Sequence, residues 1–434
     1  MKFSKYFLGI GLALMVALSF YLSYLIWVSP AGEEQSVVEE TEDTETQSQQ
    51  DYTTASDVFL PLKTVEIKDN GAKASNTESL LEDLQANVAQ SNFGSLDIQS
   101  YNSNEELAQH MQMSEGLEMD YAALIPIENY TDFFDVELST EGDAEDFRFQ
   151  KIQLDFEQQK IRFINKNDRL IAEADIQSPL TDIQDTLQEE SNDWYDVVKD
   201  ERLDYFEYYN DEPVELKQFS YIASSRPYTV FRDSFFTNPR NLRSNEDTEE
   251  LNIYDGSESM VIEPDDQRVD FQGVISEEDN FDKYTDSYQY VSRLGTNYGS
   301  VRFLDSIQNT VDYHIFVEGF PVFSDIDEGK FSVEFSDAGQ GGQRSVEIQA
   351  NLNMIQVPIP SDSEVEVPSG RSVLEDLYYA GADPENMNSL VVGYNWKNIE
   401  DTGVVDLEPS WHVQYGNTWY TAEDLIQELQ ESEE

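Results

Sequence analysis

An uncharged apolar run from Tyr6 to Val28 stands behind Lys2 and Lys5, and Pro30 closes it. It holds about 23 residues, against the roughly 20 that a helix needs to cross a bilayer core. The next lysine is Lys63, and Glu33 and Glu34 follow at once. Positive charge on the leading side alone predicts a cytoplasmic stub, one transmembrane helix within 1–30, and everything else outside. The competing reading, a cleaved signal peptide, needs about 7–15 apolar residues ending in small ones. Here the run ends in Tyr24, Leu25, Ile26 and Trp27, which suits an interfacial belt. Gly9, Ala13 and Ala17 share one face of this helix at four-residue spacing. Small side chains at that spacing let two helix backbones approach closely in lipid, so this face is the candidate partner-binding surface. Chance is the competing explanation, since small residues are common in such helices.

From residue 31 to 56 the chain is polar and acidic, which reads as a solvated tether. Apolar periodicity begins at Val58-Phe59-Leu60-Pro61-Leu62. Asn76 or Thr77 can cap a helix with Leu80, Leu81, Leu84 and Val88 on one face. Leu96 to Tyr101 reads as a strand and Glu105 to Met113 as a helix. Phe147–Phe156 and Lys160–Asn165 read as a hairpin. Beyond Gln177 the chain looks repeated. Helices over Arg226–Phe236 and Gly370–Tyr379 each stop before an Asn-Pro or Asp-Pro step. Each is followed by strands carrying a Glu-Pro pair, Glu263-Pro264 and Glu408-Pro409, and preceded by an aromatic-rich helix, Thr181–Glu201 and Asn280–Leu294. The expected fold class is α+β with mainly antiparallel sheets. Three outer domains are expected, at 57–176, 177–274 and 275–434, the last two duplicates of each other with a seam near Val274.

Composition narrows the function. Hydrophobic residues make up 39% of 434, so real cores are available, and 88 acidic against 26 basic residues leave a net charge of −62. That field repels nucleic acid and anionic headgroups. The acids are spread over the whole chain, which favours adaptation to salty surroundings over recognition of a basic partner. Absence of cysteine removes disulfides, thiolate ligands and a lipid anchor.

Candidate chemistry is sparse. His110, His314 and His412 have no metal spacing and read as structural. No nucleophile elbow or phosphate loop is present. Gly339-Gln340-Gly341-Gly342 reads as a hairpin loop. Asp325-Ile326-Asp327-Glu328-Gly329 lacks the later ligands of a calcium loop and reads as a turn. Tyr205, Phe206, Tyr208 and Tyr209 read as the two faces of a strand, with a binding surface as the alternative. No catalytic, cofactor-binding or metal-binding residue is assigned.

Several stretches resemble the YycH (WalH) family, external regulators of the WalK (YycG) sensor kinase in low-GC Gram-positive bacteria. They are Asp57-Val58-Phe59-Leu60-Pro61-Leu62, Phe235 to Asn245, Tyr254-Asp255-Gly256, Val317-Glu318-Gly319-Phe320-Pro321-Val322-Phe323-Ser324 and Leu407-Glu408-Pro409-Ser410-Trp411. The chain departs from the family in its extreme acidity and in Leu294 to Gly299, which follows the glycine-rich stretch loosely. The resemblance implies a three-domain exterior, no enzymatic activity and no cofactor. It also implies a smaller partner, YycI (WalI), with the membrane helices of both contacting the kinase; the sign of regulation differs within the family. The alternative is a module that binds a cell-envelope glycan or peptide. A concave aromatic cleft would favour that alternative, and flat faces the regulator.

Overall fold

The computed structural model describes residues 52–432 apart from 141, 145, 190–191, 247–249, 276–280, 296–298, 338–342 and 400–401. The apolar run, with Gly9, Ala13 and Ala17, lies outside the described residues, as does the tether up to Asp51. No helix among the described residues is long and apolar enough to cross a membrane.

The first sheet is built from β1 (Lys63–Lys68), β2 (Gly71–Ser75), β3 (Asp97–Ser100), β4 (Gly116–Pro126), β5 (Arg148–Asp155), β6 (Lys160–Asn165), β7 (Leu170–Asp175) and β8 (Tyr195–Val197). Their spatial order is β3-β7-β6-β5-β4-β1-β2-β8. One face packs on the helices Glu78–Ala89 and Ile127–Phe134. Leu80, Leu81, Leu84 and Val88 are all buried there, as their spacing predicts. The helix Asn104–His110 starts at Ser103, whose hydroxyl accepts from the Glu106 amide, and ends three residues before the expected Met113.

The chain continues through β9 (Val214–Lys217), β10 (Phe219–Ser225), β11 (Arg243–Glu246), β12 (Leu251–Tyr254), β13 (Ser259–Glu263), β14 (Arg268–Ile275), β15 (Ser300–Ile307) and β16 (Thr310–Val317). Then come β17 (Phe320–Phe323), β18 (Lys330–Asp337), β19 (Arg344–Asn351), β20 (Asn353–Ile359), β21 (Glu364–Val367), β22 (Met387–Ile399), β23 (Val404–Tyr415) and β24 (Thr418–Thr421). β9 and β21 pair alone. The others form one long sheet, β11-β12-β13-β14-β19-β18-β16-β17-β22-β23-β10-β20, with β15 beside β16 and β24 beside β23. Among the described residues every pairing in these sheets is antiparallel except β17 with β22, so the fold is α+β with mainly antiparallel sheets.

The structure corrects several details. The helix expected over Thr181–Glu201 covers only Thr181–Thr186. Tyr195–Val197 joins the sheet as β8, its tyrosine donating to Asn76 Oδ1 at 2.7 Å, so edge pairing overrides helical periodicity. The repeated helices are present as Thr229–Phe235 and Gly370–Tyr379, but the Glu-Pro landmarks are not equivalent. Glu263-Pro264 leads into the turn after β13, whereas Pro409 lies inside β23, opposite Tyr394. β23 is unpaired on its other side between Leu407 and His412, where a residue without an N–H is tolerated. The expected seam at Val274 falls within β14, which is paired with β19 over its whole length.

The run after the tether is a plug. Phe59 is fully buried, stacks on Phe133 with centroids 4.2 Å apart, and reaches Phe303 of β15 and Tyr313 of β16. The first sheet and the long sheet therefore share a core. Gly319, between β16 and β17, shows how tight the junction is. Its φ is +82° and an added Cβ would lie 2.0 Å from the Asn76 carbonyl oxygen. Gly319→Ala is therefore expected to lower stability by about 1–3 kcal/mol from backbone strain alone. Urea unfolding checks this; an unchanged midpoint would mean that the junction gives way.

Candidate functional site

Alternation along β4 sends Leu117, Met119 and Tyr121 into the helix-covered core and Glu118 and Asp120 to the opposite face. β5 does the same with Ile152 and Leu154 against Lys151, Gln153 and Asp155. Register then assembles a charge ladder. Lys63, Asp120 and Lys151 stand opposite one another on β1, β4 and β5. Glu118, Gln153, Arg162 and Glu173 form the next row across β4 to β7. A solvated face would make this ordinary, but Glu118, Lys151, Gln153 and Arg162 are all almost fully buried.

The cover is the segment around Tyr205–Tyr209. It is not a strand with two faces, as its aromatics suggested; Tyr209 makes only an isolated bridge to Val198. Asp204 fixes its turn by accepting from the amides of Phe206 and Glu207. Phe206 then packs on Leu107, Met111, Ile164 and Ile171. Glu207 drops its carboxylate between Lys151 at 3.0 Å and Lys166 at 2.9 Å. Lys151 Nζ also reaches Glu118 at 2.9 Å and Asp120 at 2.7 Å, and Lys63 stands 3.4 Å from Asp120. Three lysines thus meet three carboxylates.

Burial opposes the charges of Lys151, Lys166, Glu118, Asp120 and Glu207, and pairing prevails at all of them except Asp120. Lys151 would be lowered by burial, but Asp120, Glu118 and Glu207 hold it well above the usual lysine range. Burial would raise Glu207, but Lys151, Lys166 and Lys63 hold it well below the carboxylate range. At Asp120 burial prevails over Lys151 and lifts the carboxyl to about 6. The cluster is a closed, charge-balanced lock between the sheet and its cover.

Above the lock lies a cleft with a cavity of about 120 Å3. Lys63, Asp120 and Glu207 line it with Tyr195, Tyr208, Tyr209, Phe320 and Trp411. Trp411 is fixed by donating to the Pro368 carbonyl at 2.9 Å and meets Tyr209 edge-on. Asn210 Oδ1 accepts from the Gly370 amide, so the cover also ties down the helix Gly370–Tyr379. The cleft is concave and aromatic.

The histidines are buried or part-buried. His314 Nδ1 lies 2.7 Å from the Val322 carbonyl, His412 is 2% exposed, and His110 stands 3.6 Å from Glu173. Asp325–Gly329 forms a turn with Asp327 and Gly329 at positive φ, as expected. Of the Gly339–Gly342 cluster only the flanking strands, β18 and β19, are described, and they pair as a hairpin would. Sequence reasoning missed the lock, because 88 carboxylates hide three. The one usable signal was Lys151 inside a strand whose apolar positions are Phe149, Ile152 and Leu154.

Most of the charge is not locked in this way, and it sets a solution property. Exposed like charges repel over a Debye length of about 10 Å at 0.1 M salt and about 3 Å at 1 M. Thermal melts of the full-length protein are expected to move upward from 0.1 to 1 M sodium chloride; a flat or falling midpoint would mean that local pairing already cancels the repulsion.

Two family models match the chain: YycH protein, N-terminal domain, over residues 7–191, and YycH protein, C-terminal domain, over residues 206–428. Among solved structures the chain is similar to the crystal structure of YycH from Bacillus subtilis. The match has 15% identity and a TM-score of 0.65, and covers 86% of this chain and 97% of that one. At that identity the likeness is one of fold. A search of curated proteins finds no match.

Proposed function

The chain belongs to the YycH family, and from that premise we propose that it is a membrane-anchored, non-enzymatic regulator of the WalK (YycG) sensor kinase, working with a YycI-like membrane partner. The observation that carries the reading is the pair of family matches in order, which together take in all but the first residue of the apolar run and nearly all of the outer region. In this reading residues 6–28 cross the membrane once, with the amino terminus in the cytoplasm and the bulk outside. Gly9, Ala13 and Ala17 form the surface that meets the kinase or its partner within the bilayer. The outer region is three-part, and its two later parts derive from one duplicated unit that keeps the paired helices Thr229–Phe235 and Gly370–Tyr379 but neither the Glu-Pro strands nor a seam at Val274. Crosslinking in intact membranes followed by purification of the full-length chain tests the partners. The sensor kinase and the smaller protein should copurify, and their absence from crosslinked material would overturn the reading.

The aromatic cleft favours a second reading, a binding site for a cell-envelope glycan or peptide. Tyrosine and tryptophan faces above buried charges suit such a ligand. Equilibrium dialysis of the full-length protein with soluble cell-wall fragments separates the two, since a regulator acting by protein contacts alone retains none.

A further inference from the structure

A larger cavity, of about 720 Å3, adjoins the aromatic cleft and shares Asn76, Tyr195, Leu216 and Phe320 with it. That volume falls within the roughly 300–1,000 Å3 of ligand pockets. Rings form much of its wall. Phe219 and Phe320 each meet Tyr394 edge-on, with centroids 5.5 and 6.1 Å away.

The strand β9 carries the argument. It pairs with β21 on one side and with no strand on the other. The Gln218 amide donates to the Ser363 carbonyl, which sets the alternation. Leu216 and Val214 therefore bond β21, and the main chain of Glu215 and Lys217 faces away from it. Tyr394 marks the direction, since its hydroxyl donates from the cavity wall to the Lys217 carbonyl at 3.1 Å. Glu215 and Lys217 are both exposed. Among the described residues nothing meets the N–H and C=O of Glu215 or the N–H of Lys217. An open strand edge on an aromatic-walled cavity is a template for one more strand.

We propose that this cavity takes an extended segment of another protein, apolar and basic in alternation, as a strand added to β9. The main chain of the segment bonds Glu215 and Lys217. Alternation puts every second side chain on the Leu216 side, beside the rings of Tyr195 and Phe320, and the others on the Glu215 side. Charge selects the occupant. Glu78, Asp193 and Glu318 line the cavity against one lysine, Lys217, whose ammonium lies 5.2 Å from the Phe219 ring centre. The chain's own tether, 31–51, carries acids and no lysine or arginine, so these carboxylates repel it. A glycan has no continuous peptide backbone to extend the ladder. The surface stands apart from the kinase reading, because its chemistry fixes a kind of segment and not the protein that carries it.

The test is isothermal titration of the full-length protein, in detergent micelles, with acetyl-Lys-Val-Lys-Val-Lys-Val-amide. The same peptide methylated at every backbone nitrogen keeps the charge and loses the donors. One saturable site is expected for the first, with the methylated peptide at least tenfold weaker. Glu215→Pro removes an outward N–H and no bond to β21. It should bind the peptide at least tenfold more weakly than Glu215→Gln, which removes only the charge. If Glu215→Pro misfolds, the methylated peptide keeps the test decisive. No saturable binding, the methylated peptide binding as tightly, or a folded Glu215→Pro within threefold of Glu215→Gln would overturn the proposal. So would saturable binding of soluble wall glycan, or of a synthetic 31–51 peptide, in place of the basic one.

Discussion

Replacing Lys151 by Met is expected to cost the folded protein about 3–5 kcal/mol at neutral pH, the usual penalty for breaking a buried ion pair from one side. The side chain is 1% exposed and its ammonium contacts three carboxylates. Methionine fills the space but leaves Glu118 with no ion-pair contact, only the Gln153 hydrogen bond and the more distant Lys199, and leaves Glu207 with Lys166 in contact and Lys63 farther off. The pH dependence has a definite sign. In the wild type Glu207 is held below its ordinary range. Its contribution is therefore present above that range and lost as pH falls through the depressed value. In the variant, burial acts with less opposition and raises the carboxyls. Stability is then greatest at low pH and falls as pH rises through the raised values. The gap between the two proteins should narrow from pH 7.5 to 4.5. Urea unfolding at both values measures it, and a gap under 1 kcal/mol, or one independent of pH, would mean that the lock is solvated.

The second large effect is expected of the proposed membrane anchor. In lipid no hydrophobic force drives two helices together, so close packing over small residues must do it. If the face of Gly9, Ala13 and Ala17 meets the kinase or its partner as proposed, Ala13→Leu, or Gly9 and Ala13 together to Ile, would hold the helices apart and remove those contacts. Regulation needs the anchor to favour one kinase state by only about 1–3 kcal/mol, a factor of about 5–150. Losing the close approach is expected to abolish control of a kinase-dependent reporter while protein level and export stay normal. A reporter that responds as in the wild type would show that the small-residue face is passive.

Much of the local structure was legible in the sequence, and some of what was not has a physical reason. The helix Glu78–Ala89 and the hairpin of β5 and β6 follow from periodicity because each has one apolar face. Gly319 and Asp255-Gly256 stood out as family-like, and the structure explains both. Gly319 has no room for a Cβ, and Asp255 accepts from the amides of Ser257 and Glu258 in a turn with Gly256 at positive φ. Thr181–Glu201 misled because pairing of β8 with β2 is non-local, and local periodicity cannot report it. The Glu-Pro landmarks misled because proline is tolerated both at a turn and at an unpaired strand side. The charge lock was illegible because its partners come from β1, β4, β5 and the Tyr205–Tyr209 cover, and only register brings them together.

The most direct measurement is a helix exchange. The outer region from Ala31 onward, joined to an unrelated single transmembrane helix of the same length and orientation, is expressed in cells lacking the native chain. Kinase output is then read from a dependent promoter. If the membrane helix carries the signal, the chimera is exported and folded at normal level but leaves kinase output as in the deletion strain. Full regulation by the chimera would contradict this and place the whole of the activity in the outer region.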